Sequence, residues 1–112
     1  MVLLIIQKSW NEETWLVKLN LYFFSRIMFT ICTLYKFSRL DDFDKMQRPL
    51  RDFMDSLNVW GTLLLAREGI NGTISGSDSA INKILDYLNA DKRLSDLEYK
   101  FSYSETVPFK RL

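Results

Sequence analysis

Gly61-Thr62-Leu63-Leu64-Leu65-Ala66-Arg67-Glu68-Gly69-Ile70-Asn71-Gly72-Thr73-Ile74-Ser75-Gly76 is the stretch that decides the fold. Thr62 to Ala66 is a continuous apolar run of strand length, the pattern of a strand buried at the centre of a sheet. Arg67-Glu68-Gly69 breaks the run, and Asn71-Gly72 supplies two residues that tolerate positive φ. Thr73 and Ile74 are β-branched and resume an extended chain until Ser75-Gly76-Ser77-Asp78 ends it. Two strands joined by a turn over Arg67 to Gly72 are therefore expected.

Upstream, Phe29, Ile31, Thr33, Tyr35 and Phe37 share one face of a strand, with Cys32 and Leu34 on the other. Asp41, Asp42 and Asp44 supply helix-starting carboxylates, and Met46, Leu50, Phe53, Met54 and Leu57 recur at helical spacing. Pro49 fits that helix as a first-turn proline, which places the start near Gln47 or Arg48. Downstream, Ser77 or Asp78 can cap a second helix whose Ile81, Ile84, Leu85 and Leu88 form one apolar stripe. Leu97, Tyr99, Phe101 and Tyr103 then alternate with Glu98, Lys100, Ser102 and Ser104, giving a half-buried last strand. The order is βαββαβ. It predicts an α+β, ferredoxin-like (acylphosphatase-like) sandwich, an antiparallel sheet carrying two helices on one face.

The chain has 112 residues, 47% of them hydrophobic, enough for one domain with a single core. Its formal charge is +1, and from Met28 to Leu112 twelve basic residues balance twelve acidic ones. A neutral domain does not hold nucleic acid by bulk charge, so any RNA contact must be a local patch. With one cysteine and no histidine, an internal disulfide and a four-ligand Cys/His metal site are excluded. The cysteine usage reads as cytoplasmic.

Residues 1–27 are set apart. Val2 to Ile6 is apolar, but no basic residue precedes it and no small-residue cleavage site follows, so it does not read as a signal peptide. Lys18, Asn20, Ser25 and Arg26 interrupt the apolar stretch from Trp15 to Met28 well short of a membrane span of about 20 residues, so no membrane partner is expected. The reading favoured is an extension upstream of a true start at Met28. The other is an extra helix or strand covering the domain, on which Trp10, Trp15, Tyr22, Phe23 and Phe24 would bury.

The run GTLLLAREGINGTISG resembles the GTILLAxEGINGTIxG segment of the N-terminal domain of the rhodanese-related tRNA uridine hydroxylases. Tyr35-Lys36-Phe37 is similar to that family's first strand, and Leu50-Arg51 after Arg48-Pro49 to its first helix. Asp91, Arg93, Leu94, Leu97 and Lys100 resemble the approach to the fourth strand, and Pro108-Phe109-Lys110-Arg111-Leu112 the hand-over to the next domain. The resemblance covers about Met28 to Leu112. It implies a tRNA-facing or scaffolding domain of an oxidoreductase that hydroxylates C5 of the wobble uridine with molecular oxygen. In the family a rhodanese domain with the catalytic cysteine follows; the sequence stops before it, so this fragment alone is expected to be non-catalytic, with no cofactor.

Arg67 and Asn71 are the leading candidates for tRNA contact, because turn amides freed by glycine can approach a phosphate and a guanidinium can reinforce them. A hairpin that needs glycine only for its dihedrals is the other reading. Lys100, Lys110 and Arg111 are candidates for a phosphate track shared with the missing domain, or a solvated surface. Cys32 lies inside a strand with no histidine to activate it, so it is expected to be a buried core residue. Two other functions share the layout. An acylphosphatase needs a glycine-rich phosphate loop after the first strand, and Ser38-Arg39-Leu40 has none, although Arg39 and Asn71 are present. An RNA-recognition module stacks bases on aromatics of both central strands, and Gly72-Thr73-Ile74-Ser75 carries none. A stand-alone protein-interaction module is a third alternative.

Overall fold

The computed structural model describes residues 3–8 and 29–104 of the chain. Its elements are β1 (Leu3–Lys8), β2 (Phe29–Phe37), α1 (Phe43–Ser56), β3 (Trp60–Ala66), β4 (Gly69–Gly76), α2 (Asp78–Asn89), a 3-10 turn (Lys92–Leu94) and β5 (Glu98–Ser104). The strands lie in the order β1-β3-β4-β2-β5, with every neighbouring pair antiparallel. From β2 onwards this is the expected ferredoxin-like sandwich, with β2 and β4 in the middle of its four strands. β1 adds a fifth strand at one edge, pairing Leu3 with Ala66 through to Lys8 with Gly61.

Which face is inside follows from where the helices lie. α1 packs over β1 and β3, and α2 over β2 and β4. Beneath them Cys32, Leu34, Leu63, Leu65, Ile70 and Ile74 are buried, together with Leu50 and Met54 of α1 and Ile81, Ile84 and Leu88 of α2. Each fully buried Leu or Ile contributes about 1.5–3 kcal/mol by its removal from water. The other face of β2, with Tyr35 and Phe37, is exposed.

α2 forms as its sequence dictates: Ser77 is the N-cap and its hydroxyl accepts from Ala80 N at 3.1 Å. α1 departs from expectation. It begins at Phe43, and Pro49 lies inside it rather than in its first turn. Burial of Phe43 accounts for the earlier start, since it continues the apolar stripe of Leu50 and Met54 by two further turns. Pro49 is on the exposed side, where the Lys45 carbonyl that its missing N–H leaves open can meet water. Asp42 takes the N-cap position but makes no side-chain cap; its carboxylate accepts from Arg93 instead.

The central hairpin is also tighter than expected. Ala66 pairs with Gly69, so the turn is Arg67-Glu68 alone, and Asn71 and Gly72 are inside β4. Asn71 does not take positive φ; Gly69 and Gly72 do, at 146° and 155°. At Gly72 the reason is close backbone approach, since a Cβ there would stand 2.1 Å from Thr62 O.

Candidate functional site

Antiparallel register places partner residues on the same face, so the side of the sheet away from the helices can be read across the strands. One row runs Leu64, Asn71, Tyr35, Glu98, and the next runs Thr62, Thr73, Thr33, Lys100. Towards the hairpin turn the row is Ala66, Gly69, Phe37. Asn71 and Lys100, picked from the sequence for separate reasons, are thus on one face, two strands apart or about 10 Å across the sheet.

A groove of about 710 Å³ opens on this face beside the turn, lined in part by Tyr35, Phe37, Leu64, Glu68 and Asn71. Phe37 is 81% exposed and Tyr35 45%, unusual for aromatic rings in the middle of a sheet. Their rings meet edge to face with centroids 6.1 Å apart. The Tyr35 hydroxyl donates to Glu98 Oε2, and that bond, with the carboxylate charge, raises the phenol above its ordinary pKa. Thr33 and Thr73 share a hydrogen bond of 3.2 Å between their hydroxyls.

At the end of the groove the Arg67-Glu68 turn meets the loop after β2. Ser38 N donates to Glu68 O at 3.0 Å and Leu40 N to Arg67 O at 2.8 Å. The loop also brings Arg39 close: its Nε donates to both oxygens of Asp41, at 2.9 and 3.1 Å. Arg67 Nε stands 3.9 Å from the same carboxylate. Two guanidinium groups therefore flank one aspartate, all three well exposed. Hydrogen bonding to Asp41 raises the Arg39 pKa above its already high ordinary value, and a guanidinium is charged throughout the working pH range. An incoming phosphate would meet two arginines and would compete with one carboxylate for them.

The same contacts bear on an acylphosphatase site. Ser38 N and Leu40 N, which a phosphate cradle after the first strand would need, are already donating to the hairpin turn. Cys32 is fully buried beneath the helices, and burial pushes its thiol up to about 11. It remains a protonated core residue at neutral pH, as its place in a strand suggested. Lys110 and Arg111 lie outside the described residues. Among the described residues no acidic or thiol group of three or more is placed to hold a metal ion, and no helix is long and apolar enough to cross a membrane.

Arg67, Asn71 and Lys100 are candidates by residue type in the sequence, whereas the pairing of Arg39 with Asp41 beside Arg67 depends on two loops meeting and is not legible there. The exposed Tyr35–Phe37 pair was not among those candidates. The signal was present in the strand, where Tyr35 and Phe37 fall on the face opposite Cys32 and Leu34. A second cluster lies at the start of α1. Arg93 Nη1 donates to Asp42 Oδ1 at 2.5 Å and Nη2 to Asp91 Oδ2 at 2.7 Å, tying the turn after α2 to the start of α1. This cluster is structural and faces no groove of the open sheet.

A family model described as the UPF0176 acylphosphatase-like domain matches residues 29–112, three quarters of the chain. The match starts at the first residue of β2 and leaves β1 outside it.

Proposed function

This chain belongs to the UPF0176 acylphosphatase-like domain family, and from that premise we propose that it serves as the tRNA-facing domain of a wobble-uridine hydroxylase. The observation that carries the reading is the pairing of Arg67 with Arg39 around Asp41, at the end of an open-face groove that also holds Asn71. A domain with no bulk positive charge can meet RNA only through such a local patch. The resemblance of Gly61 to Gly76 to the tRNA uridine hydroxylases supplies the substrate class and the oxygen-dependent chemistry. That chemistry is assigned to a rhodanese partner domain, and no residue here is assigned a catalytic step. The buried, protonated Cys32 suits a reducing, cytoplasmic setting.

The arrangement divides the work simply. Arg39 and Arg67 would take phosphate oxygens, each through a charge-assisted bond, with Asp41 displaced to solvent. Lys100 would add a further cation on the same face. Titration of the isotope-labelled chain with tRNA at low salt tests the proposal. Amide shifts are expected at Arg39, Arg67, Asn71 and Lys100. Shifts confined to the helix face, or none, would remove it.

A further inference from the structure

We propose that the groove beside the hairpin turn is a stacking site for an unpaired base of single-stranded RNA, with Phe37 and Tyr35 as the platform and Asn71 reading the base edge. This rests on the RNA-facing reading above and deepens it, since that reading needs only phosphate contacts. Three observations meet in the groove. Phe37 and Tyr35 are exposed aromatics on a central strand, and Phe37 is almost entirely bare. A folded chain gains nothing from a Phe ring held in water, so the exposure fits a surface kept for a flat apolar ligand.

The second observation is Asn71. It is directly across from Tyr35 in the register, exposed, and lines the groove. Its side-chain amide has no partner among the described residues, leaving a donor and an acceptor free side by side, the pair that matches a base edge. The third is the cations at the margins. Lys100 lies on one side of the aromatic pair, and Arg39 and Arg67 stand at the turn end on the other. A nucleotide stacked on the rings could therefore place its flanking phosphates towards positive charge, while Glu68 and Glu98 disfavour phosphate over the groove itself.

The volume of about 710 Å³ suits a nucleotide-sized ligand rather than a helix or a duplex. An RNA-recognition module stacks on rings of both central strands; here β4 offers Gly69, Asn71 and Thr73 on that face. The site is thus one stacking strand beside one reading strand, which fits a single base better than a run of them.

Pentauridylate, pentaadenylate and intact tRNA, each titrated against the full chain and followed on the aromatic and side-chain amide resonances, test this. Both oligonucleotides are expected to move the Phe37 and Tyr35 rings and the Asn71 amide. Phe37→Ala should weaken oligonucleotide binding about five- to a hundredfold, and Phe37→Trp should retain it. Phe37 is exposed, so neither change threatens the fold, and an unchanged denaturation midpoint would verify that. If tRNA moves Arg39 and Arg67 while the oligonucleotides leave the rings still, the stacking site is wrong and the phosphate reading stands. If tRNA moves neither, both fall. Unchanged affinity in Phe37→Ala overturns the site, as does a concentration-dependent dimer that Phe37→Ala dissociates, which would assign the face to a second copy.

Discussion

Cys32 and Gly72 show how much a single position in this sheet is constrained by its neighbours. Cys32 has no exposed surface, and Cys32→Ala should cost roughly 1 kcal/mol through the volume lost. Its titration adds a test. The folded thiol ionises near 11 against an ordinary 9.0, so the fold prefers the protonated form. The stability due to this preference is complete below about pH 9 and lost as pH rises towards 11. The wild-type advantage over Cys32→Ala in urea midpoint should therefore shrink between about pH 8 and pH 10.5; a constant gap, or rapid labelling of the native thiol, would contradict its burial. Gly72→Val fails for a different reason. Its φ of 155° and the 2.1 Å approach of a Cβ to Thr62 O together should lower stability by more than about 2 kcal/mol and loosen the β3–β4 ladder. The sequence marked Gly72 as special but for a turn it does not form. Glycine signals an unusual backbone without saying whether a turn or a neighbouring strand requires it.

Among the elements, the amphipathic ones were legible and the ends were not. The stripes of α1 and α2 are in the sequence because helix periodicity is local. The start of α1 is not local: Phe43 is held by core contacts, and Arg93 grips Asp42 from fifty-one residues away. Hydrogen bonds from Arg93 hold the Asp42 and Asp91 carboxyls below the usual carboxylate range. Depressed values mean that this clamp contributes above the unfolded carboxylate pKa of about 3.8 and is lost as pH falls through the folded values. Arg93→Ala should accordingly lower the thermal midpoint at neutral pH, and its deficit should shrink as pH falls through the depressed folded values. A deficit that stays constant from neutral to strongly acid pH would mean that Arg93 acts by packing against Met46, not by charge. β1 carries another consequence. Leu3–Lys8 pairs with Gly61 to Ala66 along the edge of β3, and removing it would bare that edge. A chain beginning at Met28 should therefore keep its four strands but melt earlier and self-associate at high concentration, measured by light scattering. A monomeric chain of unchanged stability would show that β1 is dispensable.

At the scale of the whole molecule the fold class was readable, because strand and helix periods alternate in one consistent order. The candidate site was readable only in part. Arg67, Asn71 and Lys100 could be picked by residue type, but their relation to one another is set by strand order and register, which no local pattern encodes. The same neutrality that limited the sequence reading makes a sharp quantitative expectation. With a formal charge of only +1, this chain has no diffuse field to attract RNA, so its salt dependence must report the contacts in the patch. Three cations, Arg39, Arg67 and Lys100, should give a fall of log affinity against log salt with a slope of between about 2 and 3 for tRNA. Arg67→Ala should remove about 0.7–0.9 of that slope and weaken binding at low salt, with the fold intact because the side chain is well exposed. Phe37→Ala should weaken binding with the slope unaltered, since it removes a ring and no charge. The two variants thus separate phosphate contact from stacking on one graph. A slope of six or more in the wild type would place most of the contacts outside this patch. If Arg67→Ala leaves both affinity and slope untouched, the hairpin turn is scaffold and the tRNA contacts belong to another surface.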